Sequence, residues 1–385
     1  MASGPVAATL PVMSREVVIV DALRTPIGRA HKGSLAGVRP DDLCGALVAA
    51  LLERHGRPPV DELVCGVGYP FGEQGGNVAR AVALLAGLPY ETPAHTVSRL
   101  CASSLQAVRA AHHAILAGEA EVVVACGVES FSRVGRDTHL REPNPAPPAA
   151  ALDVTMLQTA ENVAGRFGVG RAELDAYAQR SQERAVAAQR SGHFAREIVA
   201  VGEVVADDGP RPGSTLAGLA ALEPVLSGGV VTAGNACPLN DGAAAVLVCS
   251  ADAARAHGLA PRARIVAHAV SALDPAIMGV APIEAIRMAL ARAGAGIDDL
   301  DLLELNEAFA AQVIPVARSV GIDPFDDRFN PHGGAIALGH PFGMTGARIV
   351  ATLLNGLDAR DGELGVASMC VGGGQGQAMV VQRLR

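Results

Sequence analysis

Residues 102–127 read ASSLQAVRAAHHAILAGEAEVVVACG, and this stretch decides the fold class. Leu105, Val108, Ile115 and Leu116 fall on one face at helical spacing, which predicts a helix over Ala102–Ala117. Glu121–Gly127 is a continuous apolar run that predicts a buried strand. Upstream, Glu16–Val20 and Leu63–Gly68 read as strands, and Asp41–His55 and Asn77–Ala86 as helices. Apolar strands alternating with helices predict an α/β fold whose sheet is covered on both faces.

Downstream, residues 128–236 break the rhythm. Residues 141–150 (REPNPAPPAA) predict a proline-rich loop, 171–191 one long polar helix stopped by Gly192, and 207–229 a Gly- and Pro-rich connection. The chain returns to strand at Ala243–Ser250. Strands then follow at 264–270, 301–305, 364–369 and 378–383, with helices at 282–293, 307–320 and 345–357. LCASS at 100–104 and MCVGGG at 369–374 echo each other, hinting at a duplicated α/β unit with cysteines in matching places.

The 385 residues are 50% apolar, which excludes disorder, and at 100–200 residues per domain the length suggests two or three domains or one large composite fold. A net charge of −8 without a basic run argues against nucleic acid or an anionic membrane as partner. Lys32 is the only lysine, which excludes a P-loop kinase and leaves a poor candidate for a Schiff base. Seven cysteines with no CxxC pair read as reduced thiols in a cytoplasmic protein, not as a disulfide frame or a metal site. The opening 14 residues, with no basic residue before Arg15, predict a loose tail and no signal peptide. No apolar run reaches 18 residues.

Four positions carry candidate chemistry. Cys101 stands at a strand-to-helix turn, where helix N–H groups and the dipole favour a thiolate, with Ser103 and Ser104 as caps; the alternative is a buried structural cysteine. Cys370 precedes Gly372-Gly373-Gly374, a run able to turn its N–H groups toward an oxyanion; no G-x-G-x-x-G frame supports a nucleotide loop. His340, between Gly339 and Pro341, sits on a rigid turn as a base beside a thiol must, whereas His332 reads as a turn residue. Asn306-Glu307 follows a buried strand where α/β sheets place ligands, with helix capping by Asn306 as the alternative. The pair His112-His113 reads as structural or surface.

Together these segments resemble the thiolase family from about residue 15 to the end. The motifs are VSRLCASSLQAV (97–108), TAENVAGRFGV (159–169), GNACPLNDGAAAV (234–246), NEAFA (306–310), GGAIALGHPFGMTGAR (333–348) and CVGGGQG (370–376). CASSLQ, GVESFSR, CPLNDG and GHPFGMTGAR are similar to an actinobacterial acetyl-CoA acyltransferase branch.

The resemblance implies a five-layered αβαβα fold of two similar halves, 15–127 plus 243–263 and 264–385, with a coenzyme A-binding loop domain inserted at 128–242. It makes Cys101 the acyl-accepting nucleophile, His340 its base, and Cys370 the acid/base at the α-carbon. Asn306 would hold a water in the enolate site, and the N–H groups of Cys101 and Gly372 would hold the tetrahedral intermediate. Met156 and Cys237 fall in segments that bind coenzyme A. The resemblance further implies acyl-CoA substrates, no permanently bound cofactor, and a homo-oligomer, dimer or tetramer, with a tetramer expected. Ser98, Ser104, Leu157 and Cys237-Pro238 depart from the usual pattern, which bears on the shape of the acyl pocket.

A ketoacyl synthase-like condensing enzyme would need a second His or Asn beside the Cys and His and would not need Cys370. A non-catalytic acyl-CoA-binding protein would have lost one of Cys101, Asn306, His340 and Cys370, and all four are present.

Overall fold

The computed structural model describes residues 15–134, 144, 146 and 151–384. The expected loose tail and nearly all of the expected proline-rich loop lie outside the described residues.

The first half comprises β1 (Val17–Arg24), β2 (Gly28–Arg29), α1 (Pro40–Arg54), β3 (Glu62–Val67), α2 (Val78–Leu85), β4 (Ala94–Val97), α3 (Ser103–Ala117) and β5 (Val122–Ser130). Helices α4 (Met156–Phe167), α5 (Arg171–Arg190) and α6 (Leu216–Ala220) follow, before the chain returns as β6 (Asn240–Ser250) and α7 (Ala251–Ala256). The second half comprises β7 (Ala263–Ala272), α8 (Pro282–Ala293), β8 (Leu302–Leu305), α9 (Ala310–Val320), α10 (Ala335–Leu338), α11 (Phe342–Arg360), β9 (Leu364–Val371) and β10 (Gln375–Arg383).

Among the described residues the strands run in the order β4-β3-β5-β6-β1-β7-β10-β9-β8, with β2 paired to β6. Only Val18↔Arg264 and Ile19↔Ala263 join β1 to β7, so the sheet is two halves meeting at a narrow seam. The path β3-β5-β6-β1 repeats as β8-β9-β10-β7: a parallel pair, then two antiparallel ones.

Alternation of side chains across the strands builds the layers. Val17 and Ile19 of β1 enter a central core, while Val18 and Val20 enter an outer one. On β9, Met369 and Val371 face the same central core, and Val366 and Cys370 face the opposite outer core. Helices α1 and α2 cover the outer face of the first half, α8 and α9 that of the second, and α3 and α11 fill the centre. The result is the expected helix–sheet–helix–sheet–helix stack. Every residue from Gly343 to Leu357 of α11 is buried, as a helix packed on all sides requires. A Cβ at Gly343 would stand 2.1 Å from the Val128 carbonyl, and one at Gly346 2.3 Å from the Leu105 nitrogen. Only glycine lets α11 approach β5 and α3 this closely.

The repeat is real, but the cysteine echo is not part of it. Each central helix links one strand of a parallel pair to the other, so the counterpart of Cys101 before α3 is the His340–Pro341 turn before α11. Cys370 ends β9, which matches the end of β5 at Val128–Ser130. Two boundaries also differ from expectation. The helix expected from 307 begins at Ala310, because Phe309 bridges Ala236 and holds the preceding residues extended. The short helix α4 lies where the sequence reading left none.

The segment between β5 and β6 is tied to the core by a fully buried charge network. Arg24 of β1 donates to Glu197 at 2.6 Å and to both oxygens of Asp207 at 2.7 and 3.0 Å. Among the described residues no helix is long and apolar enough to cross a membrane.

Candidate active site

Cys101 lies in a short 3-10 turn, Leu100–Ala102, immediately before α3. Leu100 has φ +44°, a strained backbone for a branched side chain, and strain of this kind persists only where neighbours hold it. Ser103 Oγ accepts from the Arg99 N–H at 2.9 Å and lies 2.6 Å from the Leu100 carbonyl, so it braces the turn from within α3 and is not the expected cap. Ser104 does not cap it either. Its hydroxyl donates to the Met344 carbonyl at 3.0 Å and accepts from the Ala347 N–H at 2.9 Å, stitching α3 to α11.

The expected resting thiolate is also corrected. Burial pushes the Cys101 thiol up to about 12, the Gly372 N–H pulls it down, the Glu129 charge pushes it up again, and its own N–H pulls it down. The helix start does not outweigh desolvation, so Cys101 rests as a thiol and needs a base. It does have donors aimed at its sulfur, from Cys101 and Gly372, the two residues named from the sequence.

His340 sits on the turn before α11, with its backbone N–H held by Asn240 Oδ1 at 3.1 Å. Its ring lies between two partners. The Thr345 hydroxyl donates to the Pro341 carbonyl at 2.8 Å, so its oxygen is free to accept from His340 Nδ1 at 2.7 Å. That assigns the proton to Nδ1 and leaves Nε2 with its lone pair, facing Asn306 Nδ2 at 3.2 Å. Burial, then the nearby Arg348 charge, lowers the His340 pKa to about 3, so the resting imidazole is neutral.

Asn306 does not cap a helix; α9 starts at Ala310 with Phe309 at its cap. The Asn306 N–H bonds the Ser368 carbonyl at 2.9 Å, fixing the residue beside β9 and turning its amide toward His340. Asn306 Oδ1 is buried with no partner among the described residues. Its neighbour Glu307 accepts from Tyr177 (2.8 Å), Ser181 (2.6 Å), Asn330 (3.1 Å) and the Ile336 N–H (3.2 Å), locking α5 and α10 around this loop.

Cys370 is buried at the end of β9. The following turn uses Gly373 and Gly374 at φ +79° and +81°, where L side chains are strained, and the Gly374 carbonyl accepts from Leu273 at 2.7 Å. Burial, then the charges of Cys101 and Cys237, push the Cys370 thiol far up. Cys237 is half-buried, with its N–H on the Ala308 carbonyl at 3.0 Å, and its thiol is raised by burial and then by Cys101. Met156, in the first turn of α4, packs against the outer core that contains Cys370.

The structure therefore gathers Cys101, Cys237, Cys370 and the Gly372 N–H in one place and couples Asn306 to His340. Two thiols, a neutral imidazole and convergent N–H donors can form a thioester on sulfur and move protons at two different atoms. The sequence reading did not single out Asn240, Thr345 or Glu129. All three lie inside motifs quoted above, Asn240 in GNACPLNDGAAAV, Thr345 in GGAIALGHPFGMTGAR and Glu129 in GVESFSR, which was the available signal.

Elsewhere, the sulfurs of Cys44, Cys65 and Cys126 lie within 4.8 Å of one another in the outer core of the first half, all buried. Cysteines that are widely spaced in sequence thus meet in space. Cys65 and Cys126 are register partners on β3 and β5.

Comparison with known proteins agrees with this geometry. Residues 17–252 match the thiolase N-terminal domain and 259–383 the thiolase C-terminal domain. The chain is 46% identical to a beta-ketoadipyl-CoA thiolase of Acinetobacter baylyi, covering 96% of this chain and 100% of the relative. It is 44% identical to a 3-ketoacyl-CoA thiolase of Idiomarina loihiensis, again covering 96% and 100%. The crystal structure of an acetyl-CoA acetyltransferase of Bacillus anthracis superposes with a TM-score of 0.89 at 38% identity, over 96% of this chain and 99% of that one. With both halves matched and the relatives covered end to end, the chain belongs to the thiolase family and is an acyltransferase acting on coenzyme A thioesters.

Proposed function

We propose that the enzyme cleaves 3-ketoacyl-CoA with coenzyme A, or runs the same steps backward to condense two acetyl-CoA, through an acyl group on Cys101. In the cleavage direction His340 Nε2 takes the Cys101 proton, and the thiolate adds to the 3-keto carbon. The resulting oxyanion sits on the N–H groups of Cys101 and Gly372. The bond between C2 and C3 then breaks, and its electron pair goes into the enolate of acetyl-CoA. That enolate oxygen is held by protonated His340 and a water on Asn306, and C2 takes the Cys370 proton. After acetyl-CoA leaves, Cys370 accepts the proton of incoming coenzyme A, whose sulfur attacks the acyl-Cys101 thioester; the C–S bond to Cys101 breaks and the departing thiolate takes back its proton from His340.

The observation that carries this reading is that two buried thiols, Cys101 and Cys370, lie close enough for their charges to act on each other, with the Gly372 N–H on the Cys101 sulfur; the buried neutral His340 beside Asn306 supports it as the base. An enolate is a poor leaving group, and each fixed donor at a developing charge is worth about 2.7–4 kcal/mol. The unpartnered Asn306 Oδ1 is a buried acceptor suited to a water.

Residues 128–242 would form the coenzyme A-binding loop domain, with Met156 and Cys237 on its site-facing side. Support comes from the register Ser130↔Asp241, which makes the segment leave and re-enter the sheet at one point. We assign the chain to the cytoplasm and to β-oxidation-type degradation of 3-ketoacyl chains, as a homotetramer. For assembly the support is β4, an edge strand that leads directly into the Cys101 turn.

The test is coenzyme A-dependent cleavage of acetoacetyl-CoA, beta-ketoadipyl-CoA and a C8–C16 series of 3-ketoacyl-CoAs, with light scattering for the oligomer. The degradative reading expects faster turnover of the longer chains. Fastest C4 turnover would reassign the enzyme to acetoacetyl-CoA, and no cleavage at all would reject thiolysis.

A further inference from the structure

Glu129 ends β5 at the place that Cys370 occupies in the other half, and its carboxylate is fully buried. Each oxygen receives two donors. Oε2 accepts the N–H of Gly68 at 2.8 Å and of Gly343 at 2.8 Å; Oε1 accepts the N–H of Tyr69 at 3.1 Å and the Gln74 amide. All four partners are donors and none is an acceptor, so the geometry selects the ionised form. Gly343 is the second residue of α11, whose free N–H groups attract an anion. Gln74 is itself fixed, donating to the Tyr69 carbonyl at 2.8 Å and accepting from Ser130 at 2.8 Å.

These contacts surround the site described above. The Gly343 N–H is three residues beyond His340, and the Tyr69, Phe131 and Phe342 rings pack on one another with centroids 4.8–5.7 Å apart. The His340 ring lies 4.7 Å from that of Phe342.

We propose that Glu129 is a positioning residue for acyl transfer: its buried carboxylate locks the α11 start, which follows directly on His340, to the loop that carries Tyr69, and its negative charge acts on Cys101. This rests on the reading of Cys101 as nucleophile. The charge adds to burial, the larger cause, in keeping Cys101 protonated until a base removes its proton. The titratable groups in electrostatic reach of Cys101 are Glu129 from β5, Tyr69 from the loop after β3, Cys370 from β9 and Cys237 from the loop before β6; His340, the base of the reading above, is neutral across the range in which thiols titrate. Burial tends to raise Glu129 to about 7, so above neutral pH, where the thiols titrate, it carries its charge.

The experiment follows iodoacetamide alkylation of Cys101 against pH by peptide mass spectrometry, beside steady-state thiolysis, in the full-length enzyme. Glu129→Gln should move the alkylation midpoint at least about half a pH unit lower and reduce kcat about tenfold or more, with KM within about twofold. Gln74→Met removes a donor but keeps the carboxylate, so its midpoint should move upward. Opposite shifts cannot come from general loosening, which would move both variants the same way. Midpoints unmoved, or moved together, overturn the proposal. If Glu129→Gln does not fold, an unchanged or lowered midpoint in Gln74→Met does so alone. Failure of the wild-type enzyme to acylate Cys101 would instead overturn the nucleophile assignment, a separate result from the same samples.

Discussion

Asn306 Nδ2 faces His340 Nε2 at 3.2 Å with both side chains buried, and Thr345 holds the opposite ring nitrogen at 2.7 Å. Three residues from two elements therefore set one tautomer: proton on Nδ1, lone pair on Nε2. The base function proposed for His340 depends on that choice.

Thr345→Val removes the acceptor at Nδ1 while keeping the shape. The ring can then place its proton on Nε2, which blocks the atom that must accept the Cys101 proton and leaves the lone pair on Nδ1, away from it. We expect kcat to fall about 100-fold with KM little changed, and Thr345→Ser to restore most of it. Steady-state thiolysis kinetics measure both. A Thr345→Val enzyme with full kcat would show that the hydroxyl does not select the tautomer.

Buried neutral histidines also set the acid stability. His340 and His332 are lowered to about 3 and His112 to about 4, in each case first by burial. Their folded pKa values lie below the unfolded value, so the unfolded chain binds more protons below about pH 6.5 and stability falls as pH falls. The loss runs from about 6.5 down to the folded values, and each histidine contributes about 1 kcal/mol between pH 6.5 and 5.5. Glu129 and Glu304, raised by burial to about 7 and about 8, act in the opposite sense over the same range. The histidine term is therefore read by chemical denaturation as the difference between wild type and His332→Asn: the variant should lose about 1 kcal/mol less between pH 6.5 and 5.5. An equal loss in both would contradict a neutral buried ring at His332.

The inserted segment hangs on a buried cation. Arg24→Ala leaves Glu197 and Asp207 unpaired in the interior, and breaking such a network costs about 3–5 kcal/mol. Arg24→Met, which fills the space but lacks charge, should be nearly as damaging, because the two carboxylates remain. Urea titration distinguishes this from a surface effect, for which the loss would be below about 1 kcal/mol.

What was legible in the sequence follows from how local each signal is. Strands β1, β3 and β5 are continuous apolar runs, and α3 carries its own helical spacing, so both were readable within a few residues. Helix α4 was not, because its buried face is made of Thr159, Ala160, Val163 and Ala164, too small to stand out from the polar residues around them. Asn306 looked like a cap because its true partners, Ser368 and His340, are distant in sequence. Glu129 has the same problem in stronger form: the Gly343 N–H that it accepts lies 214 residues away. His340 and Cys370 were legible because glycines and a proline stand beside them, and Cys101 because it falls where a strand-like run gives way to a helical pattern. The likeness of LCASS to MCVGGG misled because the fold repeats by strand order, not by local composition.

The most direct test of the account is peptide mapping of the enzyme quenched with acetyl-CoA or 3-ketoacyl-CoA, in wild type, Cys101→Ala and Cys370→Ala. The account predicts an acyl group on the Cys101 peptide in wild type and none in Cys101→Ala, whose thiolysis is lost by about three orders of magnitude or more. It also predicts that Cys370→Ala still takes an acetyl group onto Cys101 from acetyl-CoA but neither makes nor breaks the carbon–carbon bond. An acyl group found on Cys370 or Cys237 instead, or equal loss of both partial reactions in Cys370→Ala, would contradict the division of labour between the two sulfurs.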